Sequence, residues 1–203
     1  MVITGITQTK RGRYALFCDE KFLFSVDEGT FVEFGLFQGM EIDDTLTKDL
    51  EEKSNLEEAR AKAYEYLSYR AHTRKELYNK LLKRFDEYTS ARIVDEMVTM
   101  GYIDEEEYIR DYLEYLFTNK LSSIQEARQY LQARGIANTT LDEILTDYDS
   151  DEIDIIKKLV ETKYMSRLAE ANGYNKVFGA LSRRGFRSSE IRYVLNNPCN
   201  KDE

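Results

Sequence analysis

The stretch SRRGFRSSEIRYVL, Ser182 to Leu195, is an altered copy of QARGIANTTLDEIL, Gln132 to Leu145, which lies fifty residues earlier. The offset places Arg134 on Arg184, Gly135 on Gly185, Ile136 on Phe186 and Leu145 on Leu195. A second shift of the same length brings Arg84 under Arg134 and Leu81 under Leu131, inside ELYNKLLKRF. A unit of about fifty residues therefore occurs three times, and a repeated unit of that length signals stacked supersecondary modules.

The helix starts within each unit are legible. Ser54, Thr73, Asp104, Ser123 and Thr140 each precede a Glu by three positions. A short oxygen side chain at the N-cap with Glu at N3 satisfies two otherwise orphaned backbone N–H groups. Gly101, Gly135 and Gly185 follow apolar-periodic segments and suit the left-handed position after a helix end. Starts and stops together predict helices at 55–70, 74–84 and 90–100, then 105–118, 124–134 and 140–148, then 151–165, 174–184 and 189–196. Leu77, Leu81 and Leu82, Ala127 and Leu131, and Val177, Phe178 and Leu181 give each middle helix an apolar stripe at helical spacing. The fold expected is mainly α, with tandem three-helix repeats in an elongated, curved array. The repeats would occupy 54–102, 103–149 and 150–197, followed by a tail at 198–203.

The first fifty residues read differently. Tyr14 to Cys18 and Phe22 to Val26 are short aromatic and apolar runs separated by Asp19, Glu20 and Lys21, which predicts a hairpin. VEFGLFQGMEID, from Val32, reads as strand, turn and short strand, with Gly35 and Gly39 supplying turns. A small β-rich module is expected over 1–50. Neither glycine belongs to a phosphate loop, because no Lys-Ser or Lys-Thr follows at the required spacing.

Composition narrows the function classes. The chain has 203 residues, 42% of them hydrophobic, enough for a sizeable core. It has no apolar run near the ~20 residues of a membrane span and no signal-peptide block at its start, which predicts a cytoplasmic location. Cys18 and Cys199 lie at opposite ends and His72 is the only histidine, so neither a disulfide framework nor a zinc site is expected, and no cofactor. Net charge is −9, which argues against a surface built to coat nucleic acid.

That average conceals blocks. Leu67 to Arg84 holds six cations, Arg70, Arg74, Lys75, Lys80, Lys83 and Arg84, against the single acid Glu76. Phe85 to Glu114 reverses this with ten acids, and Lys176, Arg183, Arg184, Arg187 and Arg192 restore the positive sign near the end. Helix-end cations at Arg84, Arg134 and Arg184 offset the negative end of a helix dipole, but one charge per helix would suffice for that. The surplus marks all these cations as candidate contacts to a charged partner. Taken as exposed side chains, they should be reversible in sign with little effect on stability.

YLSYRAHTRKELYNKLLKRF, then IVDEMVTMGYIDEEEYIRDYLE, IQEARQYLQARGI and ALSRRGFRSSEIRYVL, resemble the RecX family of bacterial proteins that modulate the RecA recombinase. The Arg70 to Leu77 opening and MGYIDEEEY are the most specific parts, and the β-rich beginning is similar to the form found in Gram-positive bacteria. KRFDEYTSAR departs from the other units, with no glycine and two extra residues before the third helix. The resemblance implies a monomeric, non-enzymatic regulator that binds RecA filaments on single-stranded DNA and inhibits recombinase and coprotease activity, with at most weak nucleic-acid binding of its own.

Two rival functions are weaker. Asp104 to Glu107 suggest a metal site, yet consecutive residues diverge around a helix and first-turn acids complement its dipole. His72 falls in an interhelical turn, where an exposed imidazole is expected, and no nucleophile, base and oxyanion donor come together. A stand-alone helix-turn-helix protein is the other alternative, but the Thr140 to Asp149 segment has no Lys or Arg with which to read a groove. The fifteen tyrosines are spread over many helical faces, as packing residues are.

Overall fold

Tyr14–Cys18 (β2) and Lys21–Val26 (β3) form the expected hairpin, joined by Asp19 and Glu20, both at positive φ, as a two-residue turn matched to strand twist requires. A strand that the sequence reading missed, Ile3–Gln8 (β1), completes an antiparallel sheet in the order β1-β2-β3. Ile3, Leu16 and Val26 point into a core with Leu36, Ile42 and Leu50. The computed structural model describes residues 1–147 and 152–197, so the predicted tail at 198–203, residue 148 of one expected helix and residue 151 of the next lie outside the described residues.

The segment from Val32 is not a strand. Asp27 caps a short helix, Glu28–Glu33 (α1), by accepting from the Thr30 N–H and the Thr30 hydroxyl, and Gly35 ends it at φ +57°. Only Glu41 keeps a bridge, to Val2. Three nearby aromatics, Phe31, Phe34 and Phe37, gave the stretch its strand-like composition. The local cap decided otherwise.

Asp44–Tyr69 (α2) begins well before the predicted start. Asp43 is its N-cap, accepting from the Leu46 N–H at 2.7 Å, and Ser54 is buried inside the helix. The Ser54 hydroxyl donates to the Ser25 carbonyl at 2.7 Å and accepts from Arg13 at 2.5 Å, so its conspicuous oxygen serves a joint between sheet and helix. One helix thereby contributes to two cores. Leu50 belongs to that of the β module, whereas Leu56, Ala59 and Ala63 pack with Leu77, Leu81, Ile93 and Met97.

Arg74–Leu81 (α3) and Glu87–Thr99 (α4) complete the first helical triplet. Thr73 makes both bonds of a capping box with Glu76. This unit, which has no glycine after its middle helix, ends that helix in another way: the Phe85 N–H donates to the Leu81 carbonyl and Asp86 caps α4 directly.

Glu105–Thr118 (α5), Ile124–Ala133 (α6) and Asn138–Asp147 (α7) form the next triplet. Asp104 caps α5, and Ser123 makes a complete capping box with Glu126. Thr140 is not a cap, because α7 already starts at Asn138 and the Leu141 N–H donates to the Ala137 carbonyl. Glu152–Leu159 (α8), a π-helical turn at Val160–Tyr164 and Met165–Leu168 (α9) follow one another without a gap as the first helix of the last triplet, which Gly173–Arg183 (α10) and Ser188–Asn196 (α11) complete.

Equivalent positions behave alike. Leu77, Ala127 and Val177 are fully buried, as are Leu81, Leu131 and Leu181. Ile136 and Phe186, each following a glycine at positive φ, donate to a carbonyl five residues back, a bond that Tyr102 makes after Gly101 at the end of α4 instead. The structure thus has a small β module followed by tandem three-helix repeats. It divides into two compact units, Met1–Ile103 and from Asp104 onward, and one continuous core in the second holds side chains from both later triplets. No described helix is long and apolar enough to cross a membrane.

Candidate partner-binding surfaces

Cations near the ends of the middle helices divide by what their side chains already hold. In the first unit Arg70 donates to Glu76 at 3.0 Å and to the Ala71 carbonyl, Arg74 pairs with Asp95, and Arg84 reaches Glu58 at 3.0 Å. Lys80 sits over the Tyr66 ring at 4.6 Å, a cation–π contact. Lys75 and Lys83 are exposed and have no ion pair among the described residues.

In the second unit the two repeat-equivalent arginines are spent on packing. The Arg134 guanidinium lies 4.5 Å from the Tyr112 centroid and donates to the Tyr130 carbonyl. Arg184 clasps Glu126 with two hydrogen bonds, at 3.0 and 2.8 Å, and donates to the Leu121 carbonyl at 2.8 Å. Its side chain is only 21% exposed. Burial disfavours the Arg184 charge, but the hydrogen bonds and charge of Glu126 outweigh that and hold it more firmly protonated than usual. Arg184 is therefore an internal clamp and not the exposed side chain on which the expectation of harmless charge reversal rested.

Its neighbours are different. Arg183 is exposed and has no ion pair among the described residues. Arg187 meets Glu190 at a loose 3.3 Å, and Lys176 meets Glu170 at 2.8 Å on the surface. Arg192 stands 5.7 Å from the Phe178 ring, which stacks in turn on Tyr174. The Lys176–Glu170 pair, exposed on both sides, is worth about 0–1 kcal/mol and releases readily to a better partner.

His72 also departs from expectation. It is 2% exposed, with Nδ1 2.8 Å from the Arg70 carbonyl and Nε2 buried without a hydrogen-bond partner among the described residues. That geometry fits the neutral ring donating through Nδ1. Burial pushes its pKa below the usual histidine value, and the Arg70 and Lys80 charges add to the effect. The acids Asp104 to Glu107 start α5 as capping and first-turn residues, and no group of His, Cys, Asp or Glu among the described residues is placed to hold a metal. Of the tyrosines, Tyr64, Tyr66, Tyr78, Tyr108 and Tyr112 pack against the cores, while Tyr69 and Tyr88 are largely exposed.

Sequence reasoning missed Arg13 as a joint residue and Glu152 as a buried acid. Isolated charged residues outside a cap or a charge block leave no periodic signal.

Comparison with known proteins places this arrangement. Residues 1–43 match the regulatory protein RecX N-terminal domain, and residues 59–97 match the first three-helix domain of RecX. The chain is 30% identical over 190 residues to "Regulatory protein RecX" of Levilactobacillus brevis, covering 91% of this chain and 71% of that protein. It is 26% identical over 207 residues to the protein of the same name from Clostridioides difficile, covering 98% of it. A crystal structure of regulatory protein RecX superposes with a TM-score of 0.75 at 24% identity, covering 97% of this chain and 98% of the other.

Proposed function

Since this chain belongs to the RecX family of regulatory proteins, we propose that it binds RecA filaments assembled on single-stranded DNA and restrains recombinase and coprotease activity during DNA repair. The protein acts in the cytoplasm as a monomer, without cofactor or catalysis of its own. Its helical units, 54–102, 103–149 and 150–197, serve as successive contact modules.

One observation supports this reading most. On a chain of net charge −9, Lys75 and Lys83 in one unit and Arg183 in the other are exposed and not engaged in ion pairs among the described residues. Arg187 and Arg192 flank Arg183 with only loose surface contacts. Localised positive patches on an acidic molecule favour a partner with alternating charge over bare nucleic acid, and they act chiefly on encounter rate and register.

The test compares binding to naked single-stranded DNA, naked duplex and RecA–DNA filament at two salt concentrations, alongside RecA's DNA-dependent ATP hydrolysis and strand exchange. Preference for filament with loss of both activities supports the proposal. Preference for a specific duplex would instead identify a helix-turn-helix regulator. Unchanged RecA activity at protein concentrations comparable to RecA would overturn the regulatory reading.

A further inference from the structure

We infer that Glu152 and Glu190 share one proton and form a pH-responsive latch, fastening α8 to α11 and to the start of α6. Glu152 is 2% exposed at the beginning of α8. Its Oε1 accepts from the Ile124 N–H at 2.7 Å, so one oxygen holds the first residue of α6. Its carboxyl group also lies within hydrogen-bonding reach of that of Glu190, on α11. Glu190 Oε1 accepts from Arg187 at 3.3 Å, whereas Oε2 is buried and has no hydrogen-bond donor among the described residues while both carboxyl groups are ionised.

Two ionised carboxylates in contact repel, and a buried acceptor left without a donor is costly. A single proton between them removes both penalties by turning one carboxylate into an O–H donor. The surrounding charges do not offer another solution. On α6, Glu126 is occupied by Arg184; on α8, Asp154 faces Lys157 at 3.0 Å; on α10, Lys176 holds Glu170 and Arg183 is exposed. Arg187 is the cation acting on the pair, and its side chain is 70% exposed, where solvent screens it.

Burial and the nearby Glu190 raise the Glu152 pKa, outweighing the Ile124 N–H, which favours the ionised form. The folded state then holds its proton to higher pH than the unfolded chain. Stability from the pair is present at the acid end and is lost as pH rises through the folded-state value. Loss of the proton reaches further than the pair. Ile124 follows Ser123, whose hydroxyl donates to the Arg184 carbonyl at 2.5 Å, so the latch and the Arg184 clamp meet at the same helix start.

The decisive measurement is carboxyl-carbon NMR of the full chain labelled at glutamate side chains. The Glu152 resonance should titrate above the ordinary glutamate range with the Glu190 resonance responding at the same step, and that step should vanish in Glu190→Gln. Hydrogen exchange supplies a second readout: corrected for intrinsic rates, wild-type protection of Ile124 and α8 should fall by about tenfold as pH rises through the Glu152 step located by NMR, and Glu190→Gln should stay protected throughout. If Glu190→Gln fails to fold, Glu152→Gln replaces it, since its amide can accept from Ile124 and donate to Glu190. A Glu152 carboxyl titrating in the ordinary range in wild type would overturn the latch without any variant, as would a wild-type pH profile in either variant.

Discussion

Arg184 closes on Glu126 across 58 positions of chain, with Nε 3.0 Å from Oε1 and Nη2 2.8 Å from Oε2. The acid is the N3 residue of the α6 capping box, and the base is the C-cap of α10, so the charged end of one helix fastens the start of another. Arg184→Ala and Glu126→Ala should each lower stability by about 1–3 kcal/mol, since each strands a partly buried charged partner. Denaturant unfolding should show the double variant costing less than the sum of the two single variants. Strict additivity would mean that the pair contributes no coupling.

Arg183, next in sequence, should behave in the opposite way. Arg183→Glu and Lys83→Glu reverse exposed charges, so unfolding free energies should change by no more than about 1 kcal/mol. Filament binding should weaken, with the deficit largest at low salt because screening erases it at high salt. Equal affinity of wild type and the double reversal at low ionic strength would make these cations ordinary solvated side chains.

Two glycines separate backbone strain from crowding. Gly101 has φ +76° and open space where a Cβ would stand, while Gly185 has φ +87° and a Cβ there would come within 2.7 Å of the Gln125 Cβ. Gly101→Ala should cost about 1 kcal/mol from the left-handed backbone alone. Gly185→Ala should cost more, measured by thermal unfolding. The reverse order would show that Gln125 moves aside freely.

His72 should give the first unit its own acid sensitivity. Its folded-state pKa is depressed by burial, so the unfolded chain binds the proton more readily and stability falls as pH drops below about 6.5. This sign is opposite to that of the Glu152–Glu190 pair. His72→Asn, able to keep a donor toward the Arg70 carbonyl, should flatten the profile between about pH 5 and 7, followed by unfolding midpoints across that range. An unchanged slope would assign the acid sensitivity to other groups.

How much of this was written locally can be judged residue by residue. Thr73, Asp104 and Ser123 announced their helices because an N-cap bond spans only three residues and needs no tertiary partner. Gly101, Gly135 and Gly185 marked helix ends because positive φ is a property of the backbone itself. The fifty-residue offset gave the repeat, since equivalent apolar positions face equivalent cores. What the sequence left ambiguous were oxygens and charges whose role depends on a distant group. Ser54 has the form of a cap and is a joint with Arg13 and Ser25; His72 has the setting of a surface turn and is buried. Arg183 and Arg184 are adjacent and chemically identical, yet one faces solvent and the other grips Glu126. A hydrogen bond within one turn is dictated by spacing along the chain, whereas desolvation and long-range pairing exist only once packing has brought separate segments together.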